Sequence, residues 1–153
     1  MKKINIICLR ENERLLEKSA IWFSEKWNIP IEAYRESIKE CIENKTTIPQ
    51  WYIILNKEKN IIAGAGVIEN DFHNRKDLSP NLCALFVKEE YRKQDIAREL
   101  LNFIKSDLKN LGFDNLYLIT ELSDFYEKCG WYFFTIVEDE EGNFMKMYSS
   151  IKN

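Results

Sequence analysis

The stretch from Leu82 to Ile119 restricts the fold more than any other part of the chain. It reads as an apolar strand at Leu82–Val87, a charged turn at Lys88–Gln94, a helix over about Asp95–Asn110 ended by Leu111-Gly112, and a second apolar strand at Leu116–Ile119. A strand, a crossover helix and the next strand of one sheet run parallel. Two hairpins flank this unit. Trp51–Leu55 and Ile61–Ile68 precede it, joined by the polar Asn56–Asn60 connector, and Tyr132–Val137 with Phe144–Ser149 follow it. The prediction is a mixed α/β (α+β) sheet, mostly antiparallel, with one central parallel pair. The turn after Val87 lies at the carboxyl end of a parallel strand, where open α/β sheets hold their ligands.

The other elements complete the pattern. Ile4–Leu9 reads as a short strand, and Glu11 to about Trp27 as a helix with Leu15, Leu16, Ala20, Ile21 and Phe23 near a 3.6 period. A second helix runs over Ile31–Glu43, and a short one over Ser123–Cys129 is closed by Gly130, giving about four helices. Asn70–Pro80 is the one long polar loop, a length that is often functional. With 153 residues and no repeat, linker or low-complexity tract, the chain is expected to form one domain over 1–153.

Charge and composition exclude several classes. A net charge of -3 and a pI near 5.4 argue against a general nucleic-acid binder. No apolar run approaches the roughly 20 residues needed to span a bilayer, and Met1–Arg10 is too short and too soon charged for a secretory signal, so a cytoplasmic protein is expected. Cys8, Cys41, Cys83 and Cys129 are scattered without metal-ligand spacing and read as reduced packing residues, so no metal is implied.

The turn reads Val87-Lys88-Glu89-Glu90-Tyr91-Arg92-Lys93-Gln94-Asp95-Ile96-Ala97-Arg98, and here the chain resembles the acetyl-CoA signature of the GNAT superfamily of N-acetyltransferases. That signature, an Arg or Gln, two residues, Gly, one residue, then Gly or Ala, falls on Arg92, Asp95 and Ala97. Its physical basis is a run of N–H groups at a helix start that cradles a diphosphate. Asp95 departs from the glycine of the family. Its carboxylate either faces the diphosphate or turns away to cap the helix. Downstream, Leu116-Tyr117-Leu118-Ile119-Thr120 and Asp124-Phe125-Tyr126-Glu127-Lys128-Cys129-Gly130-Trp131 look like the strand and FYxKxG(F/W) helix of the same family.

The resemblance implies a GNAT-like fold splayed around acetyl-CoA and direct transfer of its acetyl group to a primary amine of a small molecule or peptide. Arg92, Lys93, Gln94, Asp95, Ile96, Ala97 and Arg98 would hold the diphosphate, and the backbone of Leu85, Phe86 and Val87 the pantetheine arm. Tyr126 would border the thioester and protonate the departing thiolate, since a phenol is protonated at neutral pH. Deprotonation of the amine requires a base. Glu69 is the first choice, at a strand end, ahead of the nearby Asp71 and His73. Trp22, Trp27 and Tyr34 serve either as acceptor wall or as core. The expected partner is a small-molecule amine before a protein amine, with neither nucleic acid nor membrane, and a homodimer stays open. Two other readings remain: a CoA-binding regulatory module with decayed catalysis, and a non-enzymatic interaction domain using the Asn70–Pro80 loop.

Overall fold

Apolar spacing decides where each element forms, and a computed structural model describes residues 4–152 of the result. In chain order the elements are β1 Ile6–Cys8, α1 Leu16–Trp27, α2 Ile31–Glu43, β2 Gln50–Leu55, β3 Ile61–Ile68, β4 Asn81–Val87, α3 Ile96–Asn110, β5 Tyr117–Thr120, α4 Ser123–Lys128, β6 Tyr132–Glu138 and β7 Phe144–Ser149. The strands form a seven-stranded mixed sheet in the order β1-β2-β3-β4-β5-β7-β6. β4 and β5 pair in parallel, with Asn81 opposite Tyr117. The pairs β1–β2, β2–β3, β5–β7 and β6–β7 are antiparallel. This is the predicted fold class, with the crossover helix where the sequence puts it.

The boundaries agree to within a residue or two except at the first helix. Two 3-10 turns, Leu9–Glu11 and Glu13–Leu15, replace its expected opening, and α1 begins only at Leu16. Asn12 separates them with φ -140 and ψ 62, and its side-chain amide donates to the Cys8 carbonyl at 2.9 Å. A local side-chain bond of this kind competes with helix. The expected strand at Ile4–Leu9 shrinks correspondingly to Ile6–Cys8.

Two compact units make up the described chain. The first comprises the chain up to Val67 with Ala84–Leu100, and the second Ile68–Cys83 with the chain from Leu101 onward. In the first, Phe23 of α1 meets Trp51 of β2 at 4.9 Å between ring centroids and stacks on Tyr34 of α2 at 5.5 Å. Tyr34 also meets Trp51 edge-on at 5.5 Å, and Trp22 meets Phe23 at 5.1 Å. Trp22 and Tyr34 are therefore core, while Trp27 stays 41% exposed. The rings lie this close to the sheet because β3 carries Gly64 and Gly66. A Cβ on Gly66 would sit 2.4 Å from Trp51, and one on Gly64 would sit 2.7 Å from Phe23.

In the second unit, Leu78, Val137 and Met147 form a buried cluster against Tyr117, Ile119, Phe134 and Met145. Along α3, Ile96, Leu100, Ile104 and Leu108 recur every four residues and are all buried, a single apolar stripe. No helix among the described residues is long and apolar enough to cross a membrane.

Gly66→Ala is expected to destabilise the protein by about 1–3 kcal/mol, because the added methyl must displace an indole already packed on its backbone. Thermal unfolding read by circular dichroism checks this, and a midpoint equal to wild type would mean that Trp51 moves aside freely.

Candidate active site

The turn after β4 begins with Lys88, whose N–H donates to Ile62 O of β3 at 2.8 Å, and continues through a 3-10 turn at Glu89–Tyr91. Asn56 Nδ2 donates to the Tyr91 hydroxyl at 3.2 Å, tying the turn to the β2–β3 connector. Arg92 folds back on the strand end. Its Nε donates to Val87 O at 2.8 Å, and its guanidinium lies over the Phe86 ring at 5.3 Å. Arg92 is thus a brace of the loop as well as a source of charge.

Past Arg92 the backbone is left-handed twice, at Lys93 (φ 67) and at Asp95 (φ 58), with Gln94 between them. Left-handed residues in such a turn gather successive N–H groups into an anion-binding concavity. The chain then enters α3, whose first N–H groups have no intrahelical acceptor and carry the positive end of the helix dipole. The earliest helical bond runs from Glu99 N–H to Asp95 O at 3.0 Å. Ile96 is buried beneath the loop, whereas Arg92, Lys93, Gln94, Asp95 and Arg98 are exposed and Ala97 is partly so. The donor set fits a diphosphate: backbone N–H groups, a small side chain at Ala97 and three cations.

The left-handed backbone also explains the glycine of the family signature. An N-cap residue is normally extended, whereas Asp95 sits at φ 58, where glycine is unstrained and aspartate is among the better-tolerated alternatives. A second outlier, Ala84 at φ 56, lies within β4 itself, and a left-handed alanine costs on the order of 1–2 kcal/mol. Trp27 Nε1 donates to the carbonyl of this residue at 3.2 Å. No sequence signal marks it, because alanine gives no hint of positive φ.

In the second unit, Glu69 and Tyr126 have distinct settings. Glu69 directly follows β3 with its side chain exposed, and its carbonyl accepts from Asn81 Nδ2 at 3.0 Å. Asn81 Nδ2 also donates to Leu78 O at 2.9 Å, while its Oδ1 meets His73 Nε2 at 2.6 Å. Because the Arg75 N–H donates to His73 Nδ1 at 3.1 Å, that nitrogen is an acceptor and Nε2 is the donor. His73 is 3% exposed with both ring nitrogens engaged, so it holds the loop rather than acting as a base. Asn70 completes the strap, accepting from His73 N–H and donating to His73 O, both at 3.1 Å.

Asp71, inside this strap, is partly buried, and burial pushes its carboxyl up to about 6. Tyr126 is partly buried on α4, packed edge-on to Phe125 at 4.9 Å and near Trp131 and Tyr148 at 6.4 and 6.3 Å. Burial first, then the negative charge of Cys129 and of Asp71, pushes its phenol up to about 12. Gly130 (φ 85) shapes the end of α4. Its N–H bonds Glu127 O at 3.1 Å and Trp131 N–H bonds Tyr126 O at 2.9 Å, the Schellman pair, which fixes the backbone of Tyr126. Burial raises the Cys83 thiol well above the usual thiol range and Cys41 to about 11. Neither is poised as a nucleophile.

A helix-start anion cradle following a parallel β strand, with backbone donors and three cations, defines a class of site that holds a phosphate-bearing ligand. The sequence matches the acetyltransferase (GNAT) domain over residues 49–132, and the chain belongs to that family of acyltransferase enzymes. No curated protein matches it in sequence. Among solved structures, an aminoglycoside 6'-N-acetyltransferase complexed with coenzyme A superposes with a TM-score of 0.70 at 15% identity, over 99% of each chain. A GNAT-family acetyltransferase from Staphylococcus aureus Mu50 gives 0.63 at 22% identity, over 96% of this chain and 98% of that one. A chimera of the Vibrio cholerae spermidine N-acetyltransferase gives 0.64 at 17%, over 97% and 95%. At these identities the likeness is one of fold.

Asp95→Gly is expected to leave stability unchanged or raise it by up to about 1 kcal/mol, because glycine holds φ 58 without strain, and to tighten binding of a diphosphate ligand by removing like charge. Chemical denaturation and titration calorimetry with CoA check the two halves, and weaker binding would give Asp95 a positive role.

Proposed function

We propose that the chain is an acetyl-CoA-dependent N-acetyltransferase that transfers acetyl directly to a primary amine of a small molecule or peptide. The observation that carries this reading is the pair of left-handed residues, Lys93 and Asp95, that open α3 as an anion cradle in a chain of the GNAT family. Cradle, Arg92, Lys93 and Arg98 would hold the diphosphate, and the Leu85–Val87 backbone the pantetheine arm. The acceptors named for structural neighbours, aminoglycosides and spermidine, are polycationic amines, which supports a small cationic amine here as well. One acetyltransferase domain acting in the cytoplasm, where acetyl-CoA is available, is the setting this reading implies.

In the reaction, the amine must first lose a proton, since an alkylamine has a pKa of about 10.4. Glu69 is an exposed carboxylate suited to attracting the cation. Asp71 is favoured as the proton acceptor by one observation: burial brings its pKa to about 6, closer to neutrality than an ordinary carboxylate. The neutral amine then attacks the thioester carbonyl and the thiolate departs. Tyr126, held neutral up to about pH 12, donates its hydroxyl hydrogen to the sulfur. A thiolate of pKa about 8.5 is a weaker base than this phenolate by roughly three powers of ten, so complete transfer from Tyr126 is uphill, and the proton that the nitrogen sheds as the amide forms is the one that ends on the sulfur. Tyr126 therefore acts chiefly as a hydrogen-bond donor to the growing negative charge.

Acetyl-CoA is expected to raise the melting temperature of the wild type, and Tyr126→Phe to preserve that shift while lowering kcat by about 10²-fold or more. CoA release across a panel of polyamines, amino acids and aminoglycosides at saturating acetyl-CoA reads this. Binding without turnover of any amine would favour a CoA-binding regulator, and no binding at millimolar acetyl-CoA would remove the reading altogether.

The pH profile separates the two carboxylates. Asp71 is protonated below about pH 6 and ionised above it, so kcat/KM should rise with pH through about 6 as the base forms. Asp71→Asn should abolish that limb, and Glu69→Gln should retain it with a higher KM. The reverse pattern would return the base to Glu69.

A further inference from the structure

The acetyl-transfer reading makes β4 the strand that meets the cosubstrate, and Ala84, at φ 56, is the one left-handed residue within it. Lys88 N–H reaches across to Ile62 O of β3. By strand alternation, the polar backbone groups of Val87 and Leu85 point away from β3. Arg92 Nε, at 2.8 Å from Val87 O, occupies that other side. A left-handed residue inside a strand bends it and re-aims the groups that follow. The direction of the Leu85–Val87 N–H groups therefore depends on Ala84 keeping a conformation that alanine disfavours.

Trp27, the last residue of α1, supplies a reason for it to do so. Its indole N–H donates to the Ala84 carbonyl at 3.2 Å, and its ring meets Phe86 edge-on at 6.2 Å. The helix end that carries it is itself fixed. Asn28 is left-handed at φ 53 with its N–H on Ser24 O at 2.8 Å, and the Ser24 hydroxyl donates to Ile29 O at 2.6 Å. Phe86 is held in addition by Trp22 at 5.7 Å and by the Lys26 ammonium at 5.6 Å. A residue recruited for core packing would be buried, yet Trp27 is 41% exposed while its polar atom is spent on a strained strand residue. Strain that neighbouring groups maintain inside a strand points to function.

We infer that Trp27 is a positioning residue for acetyl transfer: its indole N–H, bonded to the Ala84 carbonyl, holds the left-handed turn of β4 and so aims the Leu85–Val87 backbone at the pantetheine arm and thioester. The inference rests on the acetyl-CoA reading above. Trp27→Phe deletes the donor and keeps a ring against Phe86. It is expected to weaken acetyl-CoA affinity by about fivefold in calorimetry, with a matching loss in kcat/KM. Glycine adopts φ 56 without strain, so in an Ala84→Gly background the same Trp27→Phe change is expected to cost less than about twofold. A merely structural tryptophan would lower the melting temperature equally in both backgrounds and leave the affinity where it was. Wild-type affinity in Trp27→Phe, or an equal loss in both backgrounds, overturns the inference. Should Trp27→Phe alone fail to fold, the Ala84→Gly/Trp27→Phe protein is compared with Ala84→Gly, and a loss of fivefold or more there likewise overturns it. Failure of the wild type itself to bind acetyl-CoA would instead overturn the parent reading.

Discussion

The first unit is organised by bare backbone on β3. Gly64 and Gly66 let Phe23 and Trp51 rest directly on the strand, and through those rings α1 and α2 take up their positions on β2 and β3. Everything carried by α1 inherits that placement, including Trp27 and its bond to the Ala84 carbonyl. A close approach that excludes even one methyl leaves little latitude in helix position. The geometry of β4 around Ala84 is in this sense set by contacts one strand away.

Much of the candidate site is made of main chain. In the first unit the cradle is a pair of left-handed residues and a helix start, and the proposed pantetheine contact is a strand backbone. Main-chain N–H groups are the same in every sequence, so such a site needs small residues and particular φ values more than particular side chains. This accounts for a shared fold at 15–22% identity to the solved structures described above.

How legible each feature was in the sequence follows from its physics. The α2 helix over Ile31–Glu43 stands where periodicity puts it, because Tyr34, Ile38 and Cys41 repeat a buried face, and the strands Ile61–Ile68 and Phe144–Ser149 stand where their short apolar runs put them. The start of α1 was hidden, since the side-chain bond of Asn12 to Cys8 O interrupts a pattern that otherwise reads as continuous helix. Asp95 reads as a cap by residue type and is a left-handed turn by conformation. His73 and Asp71 look alike as polar loop residues. Their difference arises from tertiary neighbours, Asn81 and the Arg75 N–H for one and burial for the other, which no local pattern encodes.

The strap from Glu69 to Arg75 has a division of labour with an evolutionary consequence. Asn70, His73 and Asn81 carry its internal hydrogen bonds, whereas the side chains of Glu69 and Phe72 are exposed, Phe72 at 54%. Substitution at the exposed positions leaves the bonds that shape the strap intact. Mutations there can accumulate nearly neutrally for folding while altering the charge and shape of the surface, so this face can diversify without crossing a valley of unfolded intermediates.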